Sequence, residues 1–149
     1  MTDTADAPLT PRLWIAATAL ISGLVALYLH LWKLGLIGPL VCSGNGGCEI
    51  AQLSQWGQFG GVDVALIGSL GYLLILATAL IGIQPRWIND RRITTLLMLL
   101  IFPAILFTVW LKYNEFVTLK TFCPWCAVSA VTITLHGVWV VLDRKRVSR

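Results

Sequence analysis

Charge is the scarcest commodity in this sequence. Asp, Glu, Lys and Arg make up 12% of the 149 residues, against 57% for the apolar and aromatic set. A soluble domain carries about a quarter charged residues. At half that density neither a water-facing surface nor a solvated disordered chain can be maintained. Cysteine is also sparse. Four residues in a chain of this length are too few for a small disulfide scaffold. No segment alternates like the strands of a barrel, and no repeat, low-complexity tract or soluble extension is present. There is no Gly-x-Gly-x-x-Gly fingerprint, no haem-ligand pattern and no room for a nucleotide domain. The net charge of +4 does not point to nucleic acid, because the basic residues sit in short segments between apolar runs. The composition implies a polytopic membrane protein of one domain, residues 1–149.

A membrane-spanning helix needs about 20 mainly apolar residues. Four stretches qualify, at roughly 13–34, 64–83, 93–111 and 122–142, which predicts an all-α four-helix bundle in lipid. The first exceeds the apolar core of a signal peptide, and no small-x-small cleavage site stands near its end. Pro103 falls inside the third span, where neighbouring helices can cover the freed carbonyl. Arg12, Arg86, Arg91, Arg92, Arg144, Lys145, Arg146 and Arg149 cluster in the N-terminal tail, the second connection and the C-terminal tail. The positive-inside rule therefore places both termini in the cytoplasm. The first connection, about 35–63, and the third, about 112–121, face outward. The first is the longest and is rich in glycine, including Gly44, Gly46, Gly47, Gly57, Gly60 and Gly61.

This topology puts all four cysteines on the outer, oxidising side, where disulfides persist. Cys123-Pro124-Trp125-Cys126 opens the fourth span. An i, i+3 spacing at a helix start puts both sulfurs on one face, close enough to bridge. Pro124 suits the first helical position, so Cys123 falls near the N-cap. There the helix dipole favours the thiolate, the attacking species. Cys42 and Cys48 lie instead in a glycine-rich run of the outer loop, Cys-Ser-Gly-Asn-Gly-Gly-Cys, which reads as mobile. Two pairs of different mobility on one face suggest a thiol–disulfide relay from a soluble partner to the membrane pair. Two alternatives stay open at this point. Structural disulfides could staple the outer surface of a non-enzymatic scaffold, although so small a Cys-x-x-Cys loop gains little chain entropy. A four-cysteine zinc site is the other, set against the two spans that separate the pairs. For a relay, a thiol pair at the lip of a bundle in lipid is placed to meet a lipid-soluble two-electron acceptor, and a quinone fits.

With these motifs in place the chain resembles the bacterial form of the vitamin K epoxide reductase (VKOR) family. The likeness covers the four spans, the loop pair between spans one and two, and the Cys-x-x-Cys at span four. Its most specific part is the run after Cys48, where Ser54, Trp56-Gly57 and Phe59-Gly60 resemble the family's Ser-x-Trp-Gly and Phe-Gly elements. The DsbB-type thiol oxidases have the cysteine pairs in the reverse order. The resemblance implies that Cys42 exchanges with a periplasmic thioredoxin-like, DsbA-like protein and that Cys48 attacks Cys123. It implies that Cys126 faces and reduces the quinone, ubiquinone or menaquinone, with Ser54 as a catalytic polar group that assists the charged intermediate, Trp56 beside the quinone, and no metal. A bacterial inner-membrane location follows from the same resemblance.

Some members carry a fused thioredoxin-like domain; this sequence stops at Arg149, which implies a separate partner. Vertebrate members read Thr-Tyr-Ala after the Cys-x-x-Cys, where this chain has Val128-Ser129-Ala130, and their loop pair is more widely spaced. A vitamin K epoxide reductase proper, distinguished by epoxide turnover, is the nearer alternative. His30 and His136 lie within spans and read as helix–helix or interface bonds. Asp63 reads as a solvated end charge. Phe107, Trp110, Phe122 and Trp125 gather near the outer lip, in the manner of an interfacial aromatic belt.

Overall fold

The computed structural model describes residues 10–42 and 46–148. Gly44 of the loop and Arg149 of the basic tail lie outside the described residues. Helix α1 (Thr10–Lys33) leads into the outer connection, which holds α2 (Gly47–Leu53), a 3₁₀ turn at Gln55–Gly57 and a minimal hairpin. The hairpin pairs β1 (Gln58–Phe59) antiparallel with β2 (Val62–Asp63), in the register Gln58 to Asp63 and Phe59 to Val62. Its turn, Gly60-Gly61, holds both residues at positive φ, the geometry that matches the twist of a two-residue hairpin. Then come α3 (Val64–Ile83), α4 (Arg91–Tyr113) with a π turn at Asn114–Thr118, and α5 (Pro124–Val147).

The four long helices form a ring in which each packs on two neighbours, in the order α1, α3, α4, α5. Ile15, Ala16 and Ala19 of α1 meet Tyr72, Ile75 and Ala79 of α3; Ile93, Leu97 and Ile101 of α4 and Ile133 and Val140 of α5 complete the core. Small residues at the α1–α3 seam allow the close approach that drives helix pairing where lipid supplies no hydrophobic force. Polar side chains bond across the α1–α5 seam. Thr18 Oγ1 lies 2.8 Å from His136 Nε2, and Ser22 donates to Thr132 at 2.9 Å. His136 is thus a helix–helix bonding residue.

The outward faces carry exposed Leu24, Leu73, Leu99, Leu106 and Val131. On a soluble protein these would be liabilities; on four helices long and apolar enough to cross a membrane they form the lipid-facing surface. This is a multi-pass membrane protein with an all-α bundle.

Five charged residues sit differently from the sequence expectation. Arg12, counted with the tail, is fully buried against Asp143. Arg144, Lys145 and Arg146 belong to the last turn of α5 rather than to a tail, and Arg146 donates to Asp143 Oδ1 at 2.6 Å. Asp63 is no solvated end charge. It caps α3 by accepting from Ala65 N and pairs with both Lys33 and His30. For Arg12, Asp63 and Arg146, which also bonds Ile88 O at 3.1 Å, a partner distant in sequence replaces the water that an isolated charge would need.

Candidate active site

All four cysteines lie at one end of the bundle, where α1 ends and α3 and α5 begin. Cys123 is the N-cap of α5 with Pro124 in the first turn, and its Sγ accepts from Cys126 N at 3.3 Å. Both residues carry free thiols. A hydrogen bond from the Cys126 thiol holds the Cys123 thiol below its ordinary range, against burial, and the Cys126 N–H assists. Nearby Glu115 opposes that shift and Lys112 favours it. The helix start therefore favours thiolate at Cys123, the state needed for exchange.

The loop cysteines are joined as a Cys42–Cys48 disulfide. The expectation of a mobile loop falls mainly on Ser43, Gly44 and Asn45, which lie outside the described residues. Both flanks are tied to the start of α5. Trp125 Nε1 donates to Val41 O at 2.7 Å, one residue before Cys42. On the other side Gly47 is pressed against Phe122, whose carbonyl oxygen occupies the space a Cβ would need. Glycine is the one residue that permits this approach, and it brings the buried Cys48 up to the segment that carries the buried Cys123.

Beneath the pair, the bundle holds a partly open cavity of about 370 Å³ whose lining is mostly apolar. Cys126 opens onto it, together with Gln52, Trp56, Phe107, Tyr72 and Ser129. The Tyr72 hydroxyl lies 2.8 Å from Ser129 Oγ, so the Val128-Ser129-Ala130 segment contributes a bonded polar spot to the wall. Gln52 Nε2 donates to Cys126 Sγ at 3.3 Å. The Trp56 indole N–H is buried with no partner among the described residues, while its ring meets Trp110 edge-on at 5.2 Å.

Ser54 is placed differently from its neighbours. Its hydroxyl donates to Ala51 O at 2.8 Å at the end of α2, and it is not among the lining residues. Sequence reasoning passed over Gln52. Its one signal is its position four residues after Cys48, which puts it on the same face of α2. Glu115 belongs to no sequence motif. It is 5% exposed, and its Oε1 accepts from Cys123 N at 2.7 Å.

The Trp56 ledge is secured by a charged clasp. Lys33 Nζ donates to Gly57 O at 3.2 Å and also bonds Asp63; His30 Nδ1 lies 2.6 Å from the same carboxylate. Burial pushes the Asp63 carboxyl up, but the bonds from Lys33 and His30, the Lys33 charge and the Ala65 N–H outweigh it and hold it below its ordinary value.

The cavity suits a flat, lipid-soluble carbonyl compound: an apolar box, an aromatic wall and a donor without a partner. Among the described residues, no group of three or more His, Cys, Asp or Glu side chains is placed to hold a metal ion. A model of the vitamin K epoxide reductase family matches residues 13–141, most of the chain and the whole of this site. Taken with the bundle and its cysteines, that match makes this protein a member of the vitamin K epoxide reductase family, and a membrane oxidoreductase.

Proposed function

We propose that this protein is a quinone-dependent thiol–disulfide oxidoreductase that reoxidises a periplasmic thioredoxin-like, DsbA-like protein and so supports disulfide formation. The observation that carries the reading is Cys126, a free thiol opening onto an apolar cavity inside a membrane bundle. In this reading the chain lies in a bacterial inner membrane with both termini cytoplasmic and the cysteines periplasmic.

The exchange balances as follows. A partner thiolate attacks Cys42 and releases Cys48. Cys48 attacks Cys123 of a Cys123–Cys126 disulfide and frees Cys126; the partner's second thiolate attacks the partner–Cys42 bond and releases Cys42, which then closes on Cys48 and frees Cys123. The partner leaves with a new disulfide, and two electrons now reside on Cys123 and Cys126. That distribution, loop pair closed and membrane pair open, is the one described above. Cys123 and Cys126 then form their own S–S bond, giving up two electrons and two protons. A bound ubiquinone or menaquinone supplies the acceptor for both, becoming the quinol. Trp56 offers an indole N–H to a carbonyl oxygen, and Gln52 steadies the Cys126 sulfur. Ser54, by bonding Ala51, holds the end of α2 so that Gln52 and Trp56 face the cavity.

The test is quinone reduction by purified protein in detergent, with a reduced DsbA-like protein as the only donor. Turnover is expected with the wild type and none with Cys126→Ser. Cys42→Ser or Cys48→Ser should block the protein donor while sparing a small dithiol. No turnover with any quinone, with disulfides intact, would overturn the proposal in favour of a structural scaffold.

A further inference from the structure

Among the described residues, Glu115 is the acidic side chain in contact with the membrane pair, and the relay above gives it no task. It sits in the π turn at the end of α4. A π turn shifts the residues after it around the helix axis and is common at functional sites. Here Asn114 and Glu115 are buried while Phe116 and Val117 are exposed. Asn114 Nδ2 bonds back to Trp110 O at 2.8 Å, and Thr121 N donates to Glu115 O at 3.2 Å. The carboxylate is fully engaged: Oε1 accepts from Cys123 N at 2.7 Å and Oε2 from Lys112 Nζ at 2.9 Å. Lys112 in turn lies 5.4 Å and 5.5 Å over the rings of Phe116 and Phe122. A lysine and a glutamate on the wall of an apolar cavity are costly to bury, and a backbone N–H alone could be capped by a neutral group.

We propose that Glu115, held by Lys112, is the positioning residue of the redox pair: it fixes the Cys123 N-cap and, by its charge, sets how readily the Cys123–Cys126 disulfide is reduced. This rests on the reading of Cys123 and Cys126 as a redox couple. The physical cause is simple. Reducing the disulfide places developing negative charge on Cys123 Sγ. Glu115 disfavours that charge and Lys112 favours it, so the ion pair is a poised opposition around one sulfur. The other groups on packed elements do not compete. On α2, Cys48 is tied in its disulfide and Glu49 is exposed; on the connecting loop Lys120 is exposed. Cys126 is the remaining titratable neighbour.

The experiment is a redox titration of the full-length protein in detergent against dithiothreitol, without quinone or partner. The fragment carrying Cys123 and Cys126 is scored for thiols by mass after acid quench. Reduction breaks the Cys123–Cys126 bond and closes the oxidised ring of dithiothreitol, so one equilibrium constant describes it. Glu115→Gln keeps an acceptor for the Cys123 N–H and removes the charge; the constant should move roughly 3- to 10-fold toward the reduced pair. Lys112→Gln should move it the opposite way, and Lys112→Arg should restore it. Glu115→Ala, which strands the buried Cys123 N–H, should lower kcat with a small dithiol and quinone roughly tenfold, while Glu115→Gln stays within about threefold.

Shifts of opposite sign support the proposal, because loosened packing would move both variants one way. Unchanged constants, or shifts of the same sign, overturn it. Should Glu115→Gln fail to fold, Lys112→Gln decides alone: a shift that Lys112→Arg reverses supports the assignment, and no shift sinks it. If the wild type titrates as a reversible couple yet reduces no quinone, the functional reading fails and this assignment stands.

Discussion

Trp56 is where residue chemistry and proposed function meet most directly. A buried indole N–H with no partner among the described residues carries a desolvation cost that a ligand carbonyl can remove. Trp56→Phe keeps the aromatic wall against Trp110 and deletes only the donor. One hydrogen bond at about 1 kcal/mol corresponds to a quinone KM raised roughly fivefold with kcat little changed. Steady-state kinetics with a small dithiol donor would show it, and an unaltered KM would remove Trp56 from the quinone site. This residue was legible in the sequence only through its family element, Trp-Gly after the second loop cysteine. Resemblance carries a residue type to a position but not the direction of its side chain; the Ser54 hydroxyl donates to Ala51 O. Gln52, which reaches Cys126, belongs to no element the sequence singled out.

At the scale of elements, the outer connection behaves as a clamp on the start of α5. Its contact point is Gly47 against Phe122. Gly47→Ala should push α2 off that segment and separate Cys48 from Cys123. Turnover with a protein donor is then expected to fall at least roughly tenfold, the scale of an overpacking cost of about 1–3 kcal/mol. Turnover with a small dithiol should fall less, because Cys123 and Cys126 stay at the start of α5 and only the Gln52 contact to Cys126 moves with α2. Equal loss with both donors would mean that α2 supports the fold and not the relay.

The other end of the same connection predicts a pH dependence. Asp63 is held below its ordinary value in the folded protein, so its contribution is present above the unfolded carboxylate pKa of about 3.9 and is lost as pH falls through the lower folded value. Wild type should exceed Asp63→Asn in stability by about 2 kcal/mol at neutral pH. The gap should close only on acidification below about pH 4. Melting curves in detergent at several pH values measure it, and a gap independent of pH would assign Asp63 a capping role alone. Element ends divide in the same way. The second span was legible at 64–83, because Asp63 and Gln84 bound an unbroken apolar run. The third was read as 93–111, whereas α4 runs Arg91–Tyr113; Arg91, Arg92 and Lys112 end the apolar window without ending the helix. The fourth continues to Val147 because Arg146 has Asp143 and Ile88 O to bond.

Over the whole molecule, polar groups are distributed unequally between the two ends. The cysteine end leaves chemistry open: free thiols and an indole N–H without a partner. The opposite end is closed by Arg12, which donates to Asp143 Oδ2 at 3.0 Å, Gly82 O at 2.6 Å, Trp87 O at 3.0 Å and Thr94 Oγ1 at 3.1 Å. One guanidinium therefore ties α1 to the end of α3, the connection after it, α4 and α5. Composition had placed Arg12 among anchoring charges, and nothing local could say otherwise, since its partner Asp143 lies 131 residues away.

Such a clasp holds a ring of four helices whose sides gain little from lipid, while the other end exchanges disulfides. It also yields a prediction in which two changes are milder than one. Arg12→Met strands Asp143, which is fully buried, and should cost about 3–5 kcal/mol. Arg146 and Thr94 still bond that carboxylate, which argues for the lower part of the range. Asp143→Leu strands Arg12 and should cost as much or more, because the arginine has no other anionic partner among the described residues. Replacing both removes the two charges together, so the double variant should be more stable than the sum of the singles by at least about 2 kcal/mol. Reversible unfolding in mixed detergent measures each corner of the cycle. Quinone turnover of the double variant below its melting point should match the wild type, because the clasp and the cysteines occupy opposite ends. Additive losses would show that Arg12 and Asp143 act independently, and lost turnover in a folded double variant would show that the two ends are coupled.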